Sequence, residues 1–328
     1  IGGIPMNFQK SARLGKISSP FVIEADEYDT SFFDKRSKFL HYPADYVVLN
    51  NLEFDHADIF GDLDAIKRQF HHWIRTLGQD TVIYSNRKSN ALDDVLSFGV
   101  WSKIKRFNDE QQLYLDWPHK NEENSFQVFN GANKLGFVDS PISGEHNASN
   151  FLVAYGIASE FGVEFNQTVR YFNEFKGVKR RLELIANISG IKIYDDFAHH
   201  PTAIKKTIEA LRNTSREKVG TGKLNRLIIV FEPRSNSLKL GHGKQQLAES
   251  FKAADIIHVY DGSVNWDVKS ALKNLGQKVY VDSKVQNILQ RLSSQVCTGD
   301  TIVFMSNGDF QGILKAFVET LALKKFQR

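Results

Sequence analysis

Four acids crowd one short stretch of this chain, FVIEADEYDTSFF, which carries Glu24, Asp26, Glu27 and Asp29 and turns apolar again at Phe32 and Phe33. Carboxylates gathered at the end of an apolar run repel one another unless a cation or a set of hydrogen-bond donors compensates them. A second polar cluster, NNLEFDHADIF, supplies Asn51, Glu53, Asp55, His56 and Asp58. If the runs that precede the two clusters are neighbouring strands, Glu24 and His56 converge. A carboxylate with an imidazole is a sensible partial shell for Mg²⁺, whose other ligands are water and phosphate. The same spacing also suits a solvated acidic loop, with one Asp capping a helix and the His held in a hydrogen-bond network.

Further along, SGEHNASN places His146, Asn147 and Asn150 on the first turn of a helix. Free N–H groups and amide side chains there can read a purine edge or hold an anion, although Asn at such a position also serves as a plain cap. The run KRRLE concentrates Lys179, Arg180 and Arg181. A guanidinium there can clamp a phosphate during phosphoryl transfer, while the bland alternative is a solvated basic patch. The strongest local signal is YDDFAHHPTAI, in which a strand ends in Asp195 and Asp196, a short loop bears His199 and His200, and a helix begins at Pro201. Adjacent side chains diverge, so two neighbouring imidazoles suit hydrogen bonding or proton transfer better than joint ligation of one ion. Two more strand ends offer polar groups: Glu232, Arg234, Ser235 and Asn236 in VFEPRSN, and Ser306, Asn307 and Asp309 in FMSNGDFQG. Arg with Ser and Asn suits carboxylate recognition, and the same residue types are also common in turns.

The elements that must position these groups alternate in a recognisable way. Short β-branched runs at 21–24 (FVIE) and 46–49 (YVVL) predict buried parallel strands that deliver polar groups at their C-terminal ends. Leu63, Ile66, Phe70, Trp73, Ile74 and Leu77 recur at helical spacing after an Asp62 cap. After the strand DTVIYSN the rhythm of KIKRFN, QLYLDW and SFQVFNGANKLGFV predicts antiparallel strands, with a hairpin turn around Asn130 to Asn133. A helix follows through NASNFLVAYGIASEFGV and stops at Gly162. From IKIYDD onward, strand and helix alternate to the end of the chain, which predicts a parallel sheet covered by helices on both faces. The segment REKVGTGKLN reads as a surface loop. The expected fold class is α/β in two domains, 1–177 and 178–328: a parallel-sheet domain with an added antiparallel portion, then a Rossmann-like doubly wound domain. In such sheets, ligands gather at the carboxyl ends of the strands.

Composition sets outer limits. With 328 residues and 41% hydrophobic content the chain can bury sizeable cores, and its length favours two domains. No apolar run reaches the length of a membrane span and no signal segment opens the chain. The single cysteine, Cys297, excludes an internal disulfide and fits a reducing compartment such as the cytoplasm. A net charge of +4, with cations and acids interspersed, argues against nucleic acid as a partner. Oligomeric state is not legible. The chain opens IGGIP, without an initiator Met, which suggests a piece of a longer polypeptide.

Taken in order, EADEYDTSF, NNLEFDHADIFGDLDAIKRQF, SGEHNASN, GVKRRLE, YDDFAHHPTAI, FEPRSN and MSNGDFQG resemble the Mur ligases, ATP-dependent amide-bond-forming enzymes of bacterial cell-wall synthesis. Within that family, FFDKRSKFLHY and FEPRSN point toward the branch that joins a recovered murein tripeptide to UDP-N-acetylmuramate rather than the alanine-adding branch. The resemblance implies ATP and Mg²⁺ as cofactors. It implies Glu24 and His56 as metal ligands, Asn147 and Asn150 with His146 at the adenine, Arg181 at the γ-phosphate and Asp196 at the ribose. His199 would lie near the reacting groups, with His200, Arg234, Ser235, Asn236, Ser306 and Asn307 toward the incoming peptide, and rotation about 177–181 would gate the site. The family's upstream G-x-x-G-K-T phosphate loop does not occur in this sequence, so the chain is expected to begin inside the ATPase domain and not to turn over alone. The alanine-adding enzyme, and a noncatalytic nucleotide- or muropeptide-binding module, are the competing expectations.

Overall fold

The computed structural model describes residues 1–30, 32, 34–117, 124–215 and 225–325. Phe33 and residues 216–224 of the expected surface loop therefore lie outside the described residues. The backbone forms two compact units, Ile1–Lys176 and Gly177–Arg328. Among the described residues no helix is long and apolar enough to cross a membrane.

The first unit is built on a six-stranded sheet, β1 (Tyr46–Leu49), β2 (Val82–Asn86), β3 (Lys103–Phe107), β4 (Leu113–Asp116), β5 (Ser125–Asn130) and β6 (Asn133–Asp139), lying side by side in chain order. Its apolar residues face two ways, as the β-branched runs require. On one face Val47, Leu49 and Ile83 pack against α1 (Leu63–Ile74) and α2 (Asn90–Ser97) through Ile66, Trp73, Leu92 and Val95. On the other, Tyr84, Phe107, Phe126 and Val128 meet α3 (Glu145–Glu160) and α4 (Phe165–Asn173) through Phe151, Leu152 and Phe165. The Asp62 cap is present, its carboxylate accepting the Ala65 N–H at 2.7 Å.

Two expectations for this unit need correction. Residues 21–24 are not a strand, and Phe21, Val22 and Ile23 are 68%, 79% and 47% exposed. A β-branched run becomes a strand only when a neighbour takes up its backbone hydrogen bonds. Here β1 is the edge strand and its ladder runs only to β2. The antiparallel portion also begins later than the rhythm of the sequence suggested. β3 runs parallel to β2 and, at one register pair, parallel to β4; only the β4–β5 and β5–β6 pairs are antiparallel.

The second unit holds β7 (Glu183–Ile188), β8 (Ile191–Asp196), β9 (Leu227–Phe231), β10 (Ile256–Tyr260), β11 (Val279–Asp282) and β12 (Thr301–Met305), in the order β11-β10-β9-β12-β8-β7. The strands from β8 to β12 are mutually parallel. One face packs on α5 (Pro201–Ser215), α7 (Lys244–Ser250) and α8 (Val268–Ala271), and the other on α9 (Val285–Gln295) and α10 (Ile313–Lys325). This is the doubly wound sheet the alternation predicted. β7 departs from it: it is antiparallel to β8, joined by a tight turn whose central Ser189 and Gly190 both have positive φ. Because β8, β9 and β12 are adjacent and parallel, their carboxyl ends, with Asp196, Glu232 and Ser306, share one edge.

Candidate active-site elements

In the first unit, the loop after residue 24 meets the segment that follows β1, through the Glu27–His56 and Tyr28–Asp58 contacts. Lys38 Nζ donates to Asp26 at 2.8 Å, and the backbone N–H groups of Lys38 and Phe39 return to the carbonyls of Tyr28 and Asp26. Buried Phe39 anchors this loop, stacked on Trp73 of α1 with ring centroids 5.0 Å apart. Lys38 and Phe39, within the stretch 32–42 that distinguished the sequence, thus strap down the part of the loop that carries Asp26. The carboxylate that meets His56 is that of Glu27, 2.9 Å from Nε2; Glu24 instead accepts the backbone N–H of Gly2 at 2.7 Å. Tyr28 closes the cluster, with its hydroxyl bonded to Asp58 and its ring edge-on to His56.

Burial alone would depress the His56 pKa. The hydrogen bond to Glu27 and the fields of Asp55, Glu27 and Asp26 outweigh it, so the imidazole is held above its usual range. For Asp26, burial pushes the pKa up, but the hydrogen bonds that its carboxylate accepts from Lys38 and from the Tyr28 N–H prevail, so its pKa is lowered. Among the described residues no three His, Cys, Asp or Glu side chains gather into a cation cage. Mg²⁺ does not ask for one, since it keeps most of its waters and takes one or two protein ligands beside phosphate oxygens. A carboxylate and an imidazole, with a proton to give up on binding, fit that requirement.

At the start of α3, the N-cap is Gly144, with φ 104°, and not one of the asparagines. Asn147 Nδ2 donates to the Ser143 carbonyl at 2.7 Å, and Asn150 Oδ1 accepts from Asn50 Nδ2, just past β1, at 2.9 Å. His146 lies in the same first turn.

In the second unit, Asp196 is 4% exposed and both of its oxygens are engaged: Oδ2 by the Leu182 N–H and Oδ1 by the Ala198 N–H, each at 2.7 Å. Burial, working against these two amides and the charge of Arg181, pushes its pKa up to about 6. The carboxylate expected at a ribose is therefore a clip between the Arg180–Leu182 turn and the end of β8. That turn is unusual, because Arg180 (φ 59°) and Leu182 (φ 51°) both lie in the left-handed region, on either side of Arg181. The two guanidinium groups both lie over the ring of Phe197, at 5.2 and 5.3 Å from its centroid. His199 Nδ1 is 2.9 Å from the Phe197 carbonyl, which can only accept, so in the neutral ring the lone pair sits on Nε2. His200 Nδ1 faces the Thr202 N–H at 3.3 Å, in the manner of a cap for α5.

At the neighbouring strand ends, Ser306 Oγ donates to buried Glu232 at 2.5 Å and accepts the Gly308 N–H at 2.9 Å. Ser235 caps the short helix α6 (Asn236–Lys239), accepting the Leu238 N–H. Arg234 rests on Gly308, where an added Cβ would stand 2.6 Å from Cζ, and reaches Asp309 at 3.4 Å. Asn307 Oδ1 is a buried oxygen with no hydrogen-bond partner. The ends of β8, β9 and β12 are thus one continuous network. Sequence reading named Glu232 as an exposed strand-end group and Arg180 as part of a basic run; here Glu232 is buried, and Arg180 joins Asp195 to the Ser306 and Gly308 carbonyls.

Two mostly parallel six-stranded sheets, with carboxylates, imidazole and guanidinium groups collected at strand ends where α/β folds bind their ligands, define an α/β protein of the ligand-binding class. The Mur ligase middle domain family matches residues 5–158, and the family described as Mur ligase, glutamate ligase domain matches residues 180–308. The chain is 39% identical over 325 residues to the UDP-N-acetylmuramate–L-alanyl-γ-D-glutamyl-meso-2,6-diaminoheptandioate ligase of Haemophilus influenzae, covering 99% of this chain and 70% of the relative. It is 40% identical to the ligase of the same name from Escherichia coli, over 99% of this chain and 69% of the relative. The crystal structure of a murein peptide ligase from Psychrobacter arcticus superposes with a TM-score of 0.69 at 35% identity, over 98% of this chain and 70% of that one. The chain belongs to the Mur ligase family, whose members are ATP-dependent ligases.

Proposed function

We propose that this chain carries the nucleotide-handling and acceptor-handling parts of the ligase that joins L-alanyl-γ-D-glutamyl-meso-diaminopimelate to UDP-N-acetylmuramate, returning recovered tripeptide to peptidoglycan synthesis. The observation that carries the reading is the 39–40% identity, across 99% of the chain, to two ligases named for that reaction. ATP phosphorylates the muramate carboxylate, so that the oxygen leaves as phosphate when the alanyl amine attacks the carbonyl carbon and the amide forms. Mg²⁺, when bound, offsets charge on the phosphates, and the His56 cluster is the donor set that suits it.

We assign Arg181 to the γ-phosphate. The amide ends not used in the bonds described above, Asn147 Oδ1 and Asn150 Nδ2, form an acceptor and donor pair suited to the adenine edge. His199, with its lone pair on Nε2, is assigned to the incoming ammonium, from which it takes the proton before attack. Arg234 and the polar atoms of 306–307 are assigned to the peptide's carboxylates. Asp196 is assigned to holding Arg181 rather than to the ribose. ATP and a uridine nucleotide as substrates support a cytoplasmic location for the reaction.

The test is product formation by the full-length enzyme with UDP-N-acetylmuramate, ATP and Mg²⁺, offering the tripeptide or free L-alanine. Tripeptide-dependent release of ADP with the ligated product is expected. Preferential use of L-alanine, or no acceptor-dependent ADP release, overturns the assignment.

A further inference from the structure

We propose that Arg180 is a positioning residue for acceptor recognition, distinct in task from its neighbour Arg181. Its guanidinium does three jobs at once. Nε donates to Asp195 Oδ2 at 3.2 Å, and Nη2 donates to the carbonyls of Ser306 and Gly308, at 2.6 Å each. Asp195 is the penultimate residue of β8, while Ser306 and Gly308 flank Asn307 just beyond β12. One planar, permanently charged group therefore locks the loop after β12 to the end of β8.

The same loop is the seat of Arg234. The guanidinium of Arg234 lies so close over Gly308 that a Cβ there would come within 2.6 Å of Cζ and 2.8 Å of Cδ. The loop that Arg180 fixes thus sets the height and direction of Arg234, together with the orientation of Asn307, whose buried Oδ1 has no internal partner. Arg180 is held in turn by its own backbone. Its N–H goes to Glu183 at 2.9 Å, its carbonyl accepts the Phe197 N–H at 2.6 Å, and its φ of 59° aims the side chain across the sheet edge. A lysine retains the charge but cannot present the fork that serves a carboxylate and two carbonyls together.

The inference rests on the reading of this strand edge as the acceptor site, and the experiment separates the two. In the full-length ligase, Arg180→Lys is expected to raise the KM for the tripeptide by about tenfold to a hundredfold while the KM for ATP stays within about twofold. Gly308→Ala, which displaces Arg234 and leaves the Arg180 side chain itself unaltered, is expected to show the same split; it keeps the test available if Arg180→Lys does not fold. Hydrogen exchange at the amides of 306–309 is expected to quicken in Arg180→Lys. Unchanged tripeptide KM, or an equal rise for both substrates, overturns the role in acceptor recognition. Unchanged exchange overturns the bracing of the loop, whatever the activity. Absence of tripeptide ligation in the parent enzyme overturns the functional reading instead, and the exchange measurement still decides on Arg180.

Discussion

Asp196 accepts the backbone N–H of Leu182 at 2.7 Å from a site where only 4% of the residue is exposed, and so closes the turn that carries Arg181. A carboxylate here receives two amides and gives nothing. Asp196→Asn replaces one acceptor with an NH₂ group that faces an N–H. At about pH 4, where the raised pKa keeps Asp196 largely uncharged in the fold and no buried charge is relieved, the expected cost is about 2 kcal/mol, the penalty of a buried donor left unpaired. Urea denaturation of parent and variant checks it; a change within the error of the extrapolation refutes the clip.

His258 makes a different prediction. It is fully buried on β10, stacked on Tyr280 at 5.2 Å, with its pKa lowered to about 4 by burial and then by the charge of Arg291, partly offset by Gln295. Its unfolded value is higher, near 6.5, so the unfolded chain binds the proton first. Its contribution is full above pH 6.5 and is lost as pH falls toward 4, amounting to roughly 3 kcal/mol. Asp196 acts with the opposite sign: with a folded value of about 6 against 3.8, it contributes stability at low pH that is lost as pH rises from 3.8 through 6. His258→Phe keeps the stack and is expected to flatten the acid loss between pH 6.5 and 4. Stability measured against pH in the two proteins reads the difference, and parallel curves rule the effect out.

The Glu27 contact sets the charge state of His56. With Glu27→Gln, the largest influence raising the His56 pKa disappears, and the imidazole is expected to titrate at lower pH than in the parent. An NMR titration of the His56 ring resonances decides this. A curve that does not move shows that Asp55 and Asp26 suffice.

Gly156 sets two effects against each other. On helix propensity alone, Gly156→Ala in α3 gains about 1 kcal/mol. The new Cβ would, however, stand 2.7 Å from Cε1 of buried Tyr84 and 3.1 Å from Leu113, and overpacking of a close-packed core costs about 1–3 kcal/mol. Net destabilisation is expected, seen as a lower Tm; a raised Tm would mean that α3 can move away from β2.

Local pattern carried much of this architecture. The spacing of Leu63, Ile66, Trp73 and Ile74 and the Asp62 cap produced α1 as expected, and the alternation after Ile191 produced the doubly wound sheet. The Ser189-Gly190 turn and the β7–β8 hairpin were missed although a Ser-Gly pair between apolar runs was there to read. The run at 21–24 was misread, because a short β-branched apolar run reports strand preference and says nothing about whether a neighbour exists to complete the ladder.

The sequence by itself determined which chemical groups this protein brings to the carboxyl ends of its strands, since motif order and periodicity are properties of the chain alone. Only tertiary structure decided which of those groups face one another. Glu27 rather than Glu24 lies against His56, Asp196 is spent on backbone amides, and Arg180 braces the loop beneath Arg234. The reason is geometric: a hydrogen bond is made or lost within a few tenths of an ångström. Distances that fine between residues a hundred positions apart arise from the packing of whole sheets and helices, which no local pattern encodes.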